Sequence, residues 1–589
     1  MANGYENCSK SRPCEVPSGK GSIDPTRCRG GRRLLAAMAI LVTISCWAAV
    51  ACSSSSSSKD SAAQTGSTLA GTNTTERPAG KPKPGGQLTM GLANETNDFN
   101  PAVGQWSPSS YSVANALLDP MVALDDKGIA HPFLVETITA NADFTEWVFT
   151  TRPGITFHDG TPVDAAAIKR NLDNVRSSAL TGKAFSAVTS IEVSSERRIV
   201  IKMDRSWATF PATLSTQAGY VLAPSMLDDP AGAGAKIVGS GPFTFVDRQR
   251  DAFVKTRKNA KYWQKDADGV PLPYIDGLDF RVMTDSSARK SSLAAGDINA
   301  MLVVATSEVL NSTAQEASRQ EVQRLADDRT ETDEVILAFN TTKEPFDDPV
   351  ARQAIAYATD QNQLADSAFR GAMPGAWGMF SEGSPYYISP KEAGYPGRDL
   401  DKAKALAAEY QQKTGRPIQF TALVGPDTDA VAAMQAIQAA LADSNIKMEI
   451  SAVETTQLIT RVIVSGDYQA AYFVLWSSPT PDQGYVFIAT PPNSNGISLN
   501  FSRYDDPALT AALDEFRATS DARKRIDAMT KVQQQLAKNL QVVFLAHQRS
   551  AFVYANDVHG FTSTVFPGTQ VSAFNPYPVT PFFTSAWKG

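Results

Sequence analysis

The sequence predicts an α/β protein of at least two lobes, exported behind an N-terminal leader. Three observations point there. The chain has 589 residues, whereas one hydrophobic core stops growing near about 250–300. Strand-like and helix-like segments alternate along most of its length, as in α/β folds. All five cysteines, Cys8, Cys14, Cys28, Cys46 and Cys52, lie within the first 52 residues. The body beyond them therefore has no disulfide and no thiolate metal site, and burial alone must hold it together. A hydrophobic share of 42% suffices for that and excludes a largely disordered chain. The formal net charge of -6 offers no general attraction to nucleic acid, which excludes that partner class.

The leader comes first. Arg29, Arg32 and Arg33 precede an apolar stretch over 34–51 that ends in Ala49-Val50-Ala51-Cys52. A basic flank, an apolar segment and small residues before a cut form a secretory signal, assigned to 1–51. The cysteine that follows resembles a bacterial lipobox, in which the Cys52 thiol is acylated and becomes the new N-terminus. Ala49 stands where that box usually has leucine. An uncleaved signal anchor is the alternative, since the stretch is close to the ~20 residues that span a bilayer. Arg32-Arg33 also resembles a twin-arginine signal, but its flanks do not fit. Each reading leaves the body outside the cytoplasm. Without residues 1–51 the chain carries a net charge of -10. Residues 52–85 are rich in Ser, Thr, Gly, Ala and Pro and read as a tether reaching roughly 30 Å. No second apolar run is long enough for a membrane span.

In the body, strands are expected over 146–151, 198–203, 242–247, 334–340, 418–424, 447–453 and 470–476. Helices are expected over 164–175, capped by Asp164, and over 401–413, stopping at Gly415. Another spans 429–443, with Val431, Met434, Ile437 and Leu441 on one face. The last spans 521–539. No repeat recurs at a solenoid period.

Signatures of catalysis are missing. The sequence has no P-loop, no H-E-x-x-H and no G-x-S-x-G. Gly232-Ala233-Gly234 starts a dinucleotide-like fingerprint that fails at Ile237. The four histidines, His131, His158, His547 and His559, share no metal-ligand spacing. Acidic pairs such as Asp204 with Asp228, or Asp347 with Asp348, read as solvated surface. No enzyme activity, cofactor or metal is expected.

Five blocks then appear in order. Trp147-Val148-Phe149, Arg152, Gly154 and Phe157-His158-Asp159-Gly160-Thr161-Pro162-Val163 make a strand, an Asp-Gly turn and a helix start. Gly239-Ser240-Gly241-Pro242-Phe243 precedes Asn259-Ala260-Lys261-Tyr262-Trp263. Next come Ala295-Gly296-Asp297-Ile298-Asn299-Ala300, then Phe339-Asn340 with Pro345-Phe346-Asp347-Asp348 and Val350-Ala351-Arg352, and finally 399–408. Together they resemble the bacterial extracellular solute-binding proteins of the peptide/nickel class, family 5, over most of 86–589. Thr151 stands where that family usually has leucine.

The resemblance implies a two-lobed periplasmic-binding-protein-like fold (type II, cluster C) with an extra subdomain in lobe I. Lobe I would take 86–332, with the subdomain near 116–226 and a return over 554–589; lobe II would take 333–553. Crossings near Thr332 and Tyr554 would form the hinge. The protein would work as a monomer, tethered to the membrane by its lipid. It would deliver extracellular solute to an ABC permease with a separate ATPase. The expected ligand is an oligopeptide paired as an added strand along 333–340, with Asp333, Val335, Leu337, Phe339 and Asn340 in contact. Gln105 and Trp106 in 94–108, Trp377 in 373–380, and Trp476 would line the walls.

Peptide-binding members hold the ligand ammonium with an aspartate three residues after the tryptophan that matches Trp476. Pro479 occupies that place here. Asp482 or Asp333 would then have to substitute, because an unpaired buried ammonium costs several kcal/mol. Otherwise the ligand lacks a free amine: a blocked peptide, a sugar, haem, a metal chelate or another small solute. A sensor that transports nothing also remains open, whereas a secreted hydrolase is disfavoured by the missing nucleophile–base signature.

Overall fold

Helix ends and strand alternation are set locally. The computed structural model describes residues 80–589 apart from 97, 105, 126–127, 180, 230–235, 304–307, 313–321, 327–332, 477–480, 490–491, 494–495, 570 and 574–579, and without the side chains of 322–326, 476 and 483. Glu146–Thr151, Arg198–Met203 and Ala470–Trp476 form as expected, and the other expected strands shift by one or two residues. The helices Ala165–Arg176, Leu400–Thr414, Thr428–Ala442 and Ala522–Asn539 are each capped by an aspartate: Asp164, Asp399, Asp427 and Asp521. Each carboxylate accepts the backbone N–H three residues on, worth about 0.5–2 kcal/mol apiece. The cap lies outside the helix, so the expected start at 521 moves on by one.

Three sheets carry the fold. The largest has seven strands in the order Val322–Ala326, Ala551–Ala555, Ala300–Val303, Gln87–Leu92, Gly277–Val282, Phe253–Lys258 and Phe243–Gln249. A second orders Lys447–Ala452, Gln419–Val424, Ala470–Trp476, Asp333–Phe339 and Val542–Gln548. The third is a four-stranded antiparallel sheet of Val135–Ala140, Glu146–Thr151, Arg198–Met203 and Val188–Ser195. This is a two-lobed α/β fold, one lobe on each large sheet, with the four-stranded sheet as the added subdomain. The return strand begins at Ala551, not at the expected 554, because Ala551 already pairs with Val303 and Ala326.

The glycine and aromatic blocks meet at a buried carboxylate that the sequence reading overlooked. Asp119 accepts from Ser240 Oγ at 2.9 Å, Tyr262 Oη at 3.0 Å and Trp263 Nε1 at 3.1 Å. Burial pushes this carboxyl up to about 6, against the pull of the three donors. Gly239 and Gly241 must be glycine, since a Cβ would sit 2.3 and 2.5 Å from Leu117 backbone atoms. His158 completes the joint: its N–H donates to the Gly239 carbonyl at 2.8 Å, and its Nε2 lies 3.0 Å from the Gly241 carbonyl. The signature residues of these blocks hold a lobe together.

Removing the Asp119 carboxylate strands two buried donors, Ser240 and Tyr262, and the half-buried Trp263. Asp119→Ala is expected to cost about 3 kcal/mol or more in chemical denaturation.

Candidate functional site

The site follows from how the chain passes between the sheets. Strand Val542–Gln548 ends in one lobe and Ala551–Ala555 begins in the other, so two residues, Arg549 and Ser550, join them over about 10 Å of chain. The two sheets therefore meet at the ends bearing Gln548 and Ala551. Gln87–Leu92 runs parallel to both Gly277–Val282 and Ala300–Val303, and all three finish at that end. Across from them finish Gln419–Val424, Lys447–Ala452 and Ala470–Trp476, also parallel. Parallel α/β sheets bind ligands outside the carboxyl ends of their strands. The cleft is thus bounded by the described residues of 93–107 and by 283–285 on one side. Residues 425–427, 481–483 and 373–380 bound it on the other.

Loop 373–380 is pinned beside the edge strand. Gly375 bridges Ala546, the His547 N–H donates to the Pro374 carbonyl at 2.9 Å, and Ala376 N–H to the Leu545 carbonyl at 3.3 Å. Trp377 follows directly and stays half-buried, the form a wall aromatic takes. On the facing side Glu95 is held by Arg248 at 2.5 Å.

Several expected contacts are corrected. Asp333–Phe339 is paired on both sides, with Ala470–Trp476 and with Val542–Gln548. Both rows of its main-chain groups are used, so no ligand adds a strand there. Val335, Leu337 and Phe339 are buried core side chains. Asn340 holds a turn, donating from Nδ2 to the Gly466 and Tyr468 carbonyls, both at 3.0 Å. Trp106 lies in the core of its lobe with its ring edge-on to Tyr111 and Tyr220, and its indole N–H donates to the Asp98 carbonyl. Asp482 already has partners: its Oδ1 takes Arg517 Nε at 2.6 Å and Trp207 Nε1 at 3.1 Å.

Asp333 stays at the cleft. It starts the central strand, directly opposite Trp476 on one side and Gln548 on the other, and is buried. Gln105, the side chain of Trp476, and 477–480 with Pro479 lie outside the described residues. Among the described residues no three His, Cys, Asp or Glu groups gather to hold a metal ion.

Beside Asp333, Glu334 pairs across the sheet with His547, Nδ1 to Oε1 3.8 Å. Burial, and then the Arg549 charge, push the imidazole down to about 4. The unfolded chain takes up this proton near pH 6.5 and the folded chain near 4, so stability falls as pH drops through that window. The loss totals about 3 kcal/mol. His547→Leu is expected to flatten the stability–pH curve between those values, measured by urea unfolding.

A family model for bacterial extracellular solute-binding proteins, family 5 (middle region), matches residues 130–496. That is more than half of the chain, and it decides the question. The chain belongs to family 5 of the bacterial extracellular solute-binding proteins. It is an extracytoplasmic solute binder in a family that is not enzymatic. This family 5 protein is 24% identical over 479 residues to the glutathione-binding protein GsiB of Salmonella typhimurium, covering 79% of this chain and 89% of that one. It is 26% identical over 520 residues to the probable di/tripeptide-binding protein 5 of Pseudomonas aeruginosa, covering 82% and 95%. Among solved structures, AgaA from A. tumefaciens R10 in complex with agropinic acid superposes with a TM-score of 0.74 at 22% identity, covering 86% and 99%.

Proposed function

We propose that this family 5 protein is the capture subunit of an ABC importer for peptides, holding the ligand's ammonium with Asp333. The observation that carries the reading is the position of Asp333. It is a buried carboxylate at the cleft end of the central strand, in register with Trp476. Cross-strand neighbours lie about 4.5–5.5 Å apart, so Asp333, beside the end of that strand, would take over the role of the aspartate that Pro479 replaces in the sequence. The names of GsiB and of the di/tripeptide-binding protein support short peptides. Trp377 would supply an apolar wall. Main-chain pairing with the ligand then falls to the loops at the strand ends, because the central strand has no edge to give.

The lobes would span 86–332 and 333–550, with the C-terminal return from 551 and the subdomain near 116–226. Cys52 would carry the lipid and 52–85 the tether, so that one monomer shuttles solute to its permease and ATPase. A non-peptide solute is the second reading. It is favoured by Pro479 and by the agropinic acid bound to AgaA.

Calorimetry with trialanine and its N-acetyl form tests the amine contact. Asp333→Asn is expected to weaken trialanine binding by about 10–100-fold, as loss of one buried charge partner does, and to leave the blocked peptide unchanged. Equal effects on both would remove Asp333 from this role. For the anchor, Cys52→Ala should release the protein from the membrane fraction, and an unchanged fraction would refute acylation there.

A further inference from the structure

Arg517 ends the helix Pro507–Arg517, far in sequence from every family block. Its guanidinium lies between two rings, 4.1 Å from the centroid of Trp207 and 3.8 Å from that of Tyr485. Nε donates to Asp482 Oδ1 at 2.6 Å, and the same oxygen takes the Trp207 indole N–H at 3.1 Å. Nη1 donates to the Ala184 carbonyl at 3.1 Å, while Ala208 N–H donates to the Arg517 carbonyl at 2.6 Å. Asp482, Tyr485 and Arg517 belong to the lobe of the five-stranded sheet. Trp207, Ala208 and Ala184 flank the four-stranded subdomain. The pair is dry: the two side chains are 5% and 0% exposed. Nearby contacts between the same bodies, Lys183 Nζ to the Pro492 carbonyl and Asn493 Nδ2 to the Ala179 carbonyl, are exposed. A dry centre with a wet rim is the anatomy of an energetically focused interface.

Burying an ion pair brings little net stability, because desolvation offsets the attraction. What it supplies is position. Asp482 sits in the short turn Pro481–Gln483, a few residues after the strand Ala470–Trp476. Holding Asp482 therefore ties that turn to the opposite lobe in one contact. We infer that Arg517 is a positioning residue of solute capture, clamping Asp482 against Trp207 when the lobes are closed. Opening the cleft must pull the indole off the guanidinium and uncover an ion pair, so the clamp slows opening. It touches no ligand in this account and works through Asp482.

The body has no cysteine after Cys52, so two labels can be added cleanly. Spin labels at Ser194→Cys in the subdomain and Ala408→Cys in the other lobe, both exposed, report the interlobe distance in the mature protein. Trp207→Phe keeps an aromatic ring but makes it smaller and removes the indole N–H. Arg517→Lys keeps the charge and loses the flat fork that stacks and bonds. Both are expected to shift the distance distribution toward longer values. In both, trialanine should dissociate about tenfold faster with little change in association, as interface contacts act mainly on off-rates. Unchanged distances in both variants, with only a lower melting temperature, would overturn the clamp and leave the cluster as packing. The trialanine arm rests on the peptide reading. If the unmodified protein binds no trialanine, that reading fails, while the distance arm still decides the clamp.

Discussion

The two-residue connection between Gln548 and Ala551 is the constraint on which the remaining architecture depends. It leaves no length for a linker, so the two sheets are forced end to end. Each sheet presents the carboxyl ends of its parallel strands to the other. Loops must leave those ends, and the space between them is the cleft. A crossing this short also confines any relative movement of the lobes to a few backbone dihedrals, the usual form of a hinge.

Around that joint, conserving a shape and recognising a solute fall to different residues. The blocks that mark the family are mostly structural: Gly239 and Gly241 admit a backbone, and Asp119 gathers Ser240, Tyr262 and Trp263. None of these groups reaches the cleft. In the proposed reading, solute contact falls instead to loops after strands, beside Trp377 and the start of the central strand. The family's architecture can therefore persist while its ligands differ.

Much of the fold was legible in the sequence. Period-two patterns marked Glu146–Thr151 and Arg198–Met203 to the residue, and the Asp164 cap and the Gly415 stop each bounded a helix. The site was legible only in part. Asp333–Phe339 was recognisable as a strand, but its neighbours were not, because pairing partners lie more than a hundred residues away. A strand with two neighbours and a strand with one look alike in a buried apolar run. Asp482 read as a spare carboxylate because its partner Arg517 is 35 residues on and Trp207 is 275 residues back. Trp106 carried no signal separating a wall from a core, since an indole suits both. Asp119 precedes a proline outside every block, and only its three distant donors reveal it.

The central claim is that a carboxylate at the root of the central strand and loops at the strand ends capture peptides by their ammonium and backbone. Native mass spectrometry of the gently purified protein tests it most directly, by weighing whatever ligand comes with it. The account predicts a set of masses spaced by amino-acid residues, all lost together when the complex is activated. A single sharp mass that matches no peptide would contradict it, and would explain why Pro479 stands where peptide-binding members keep an aspartate.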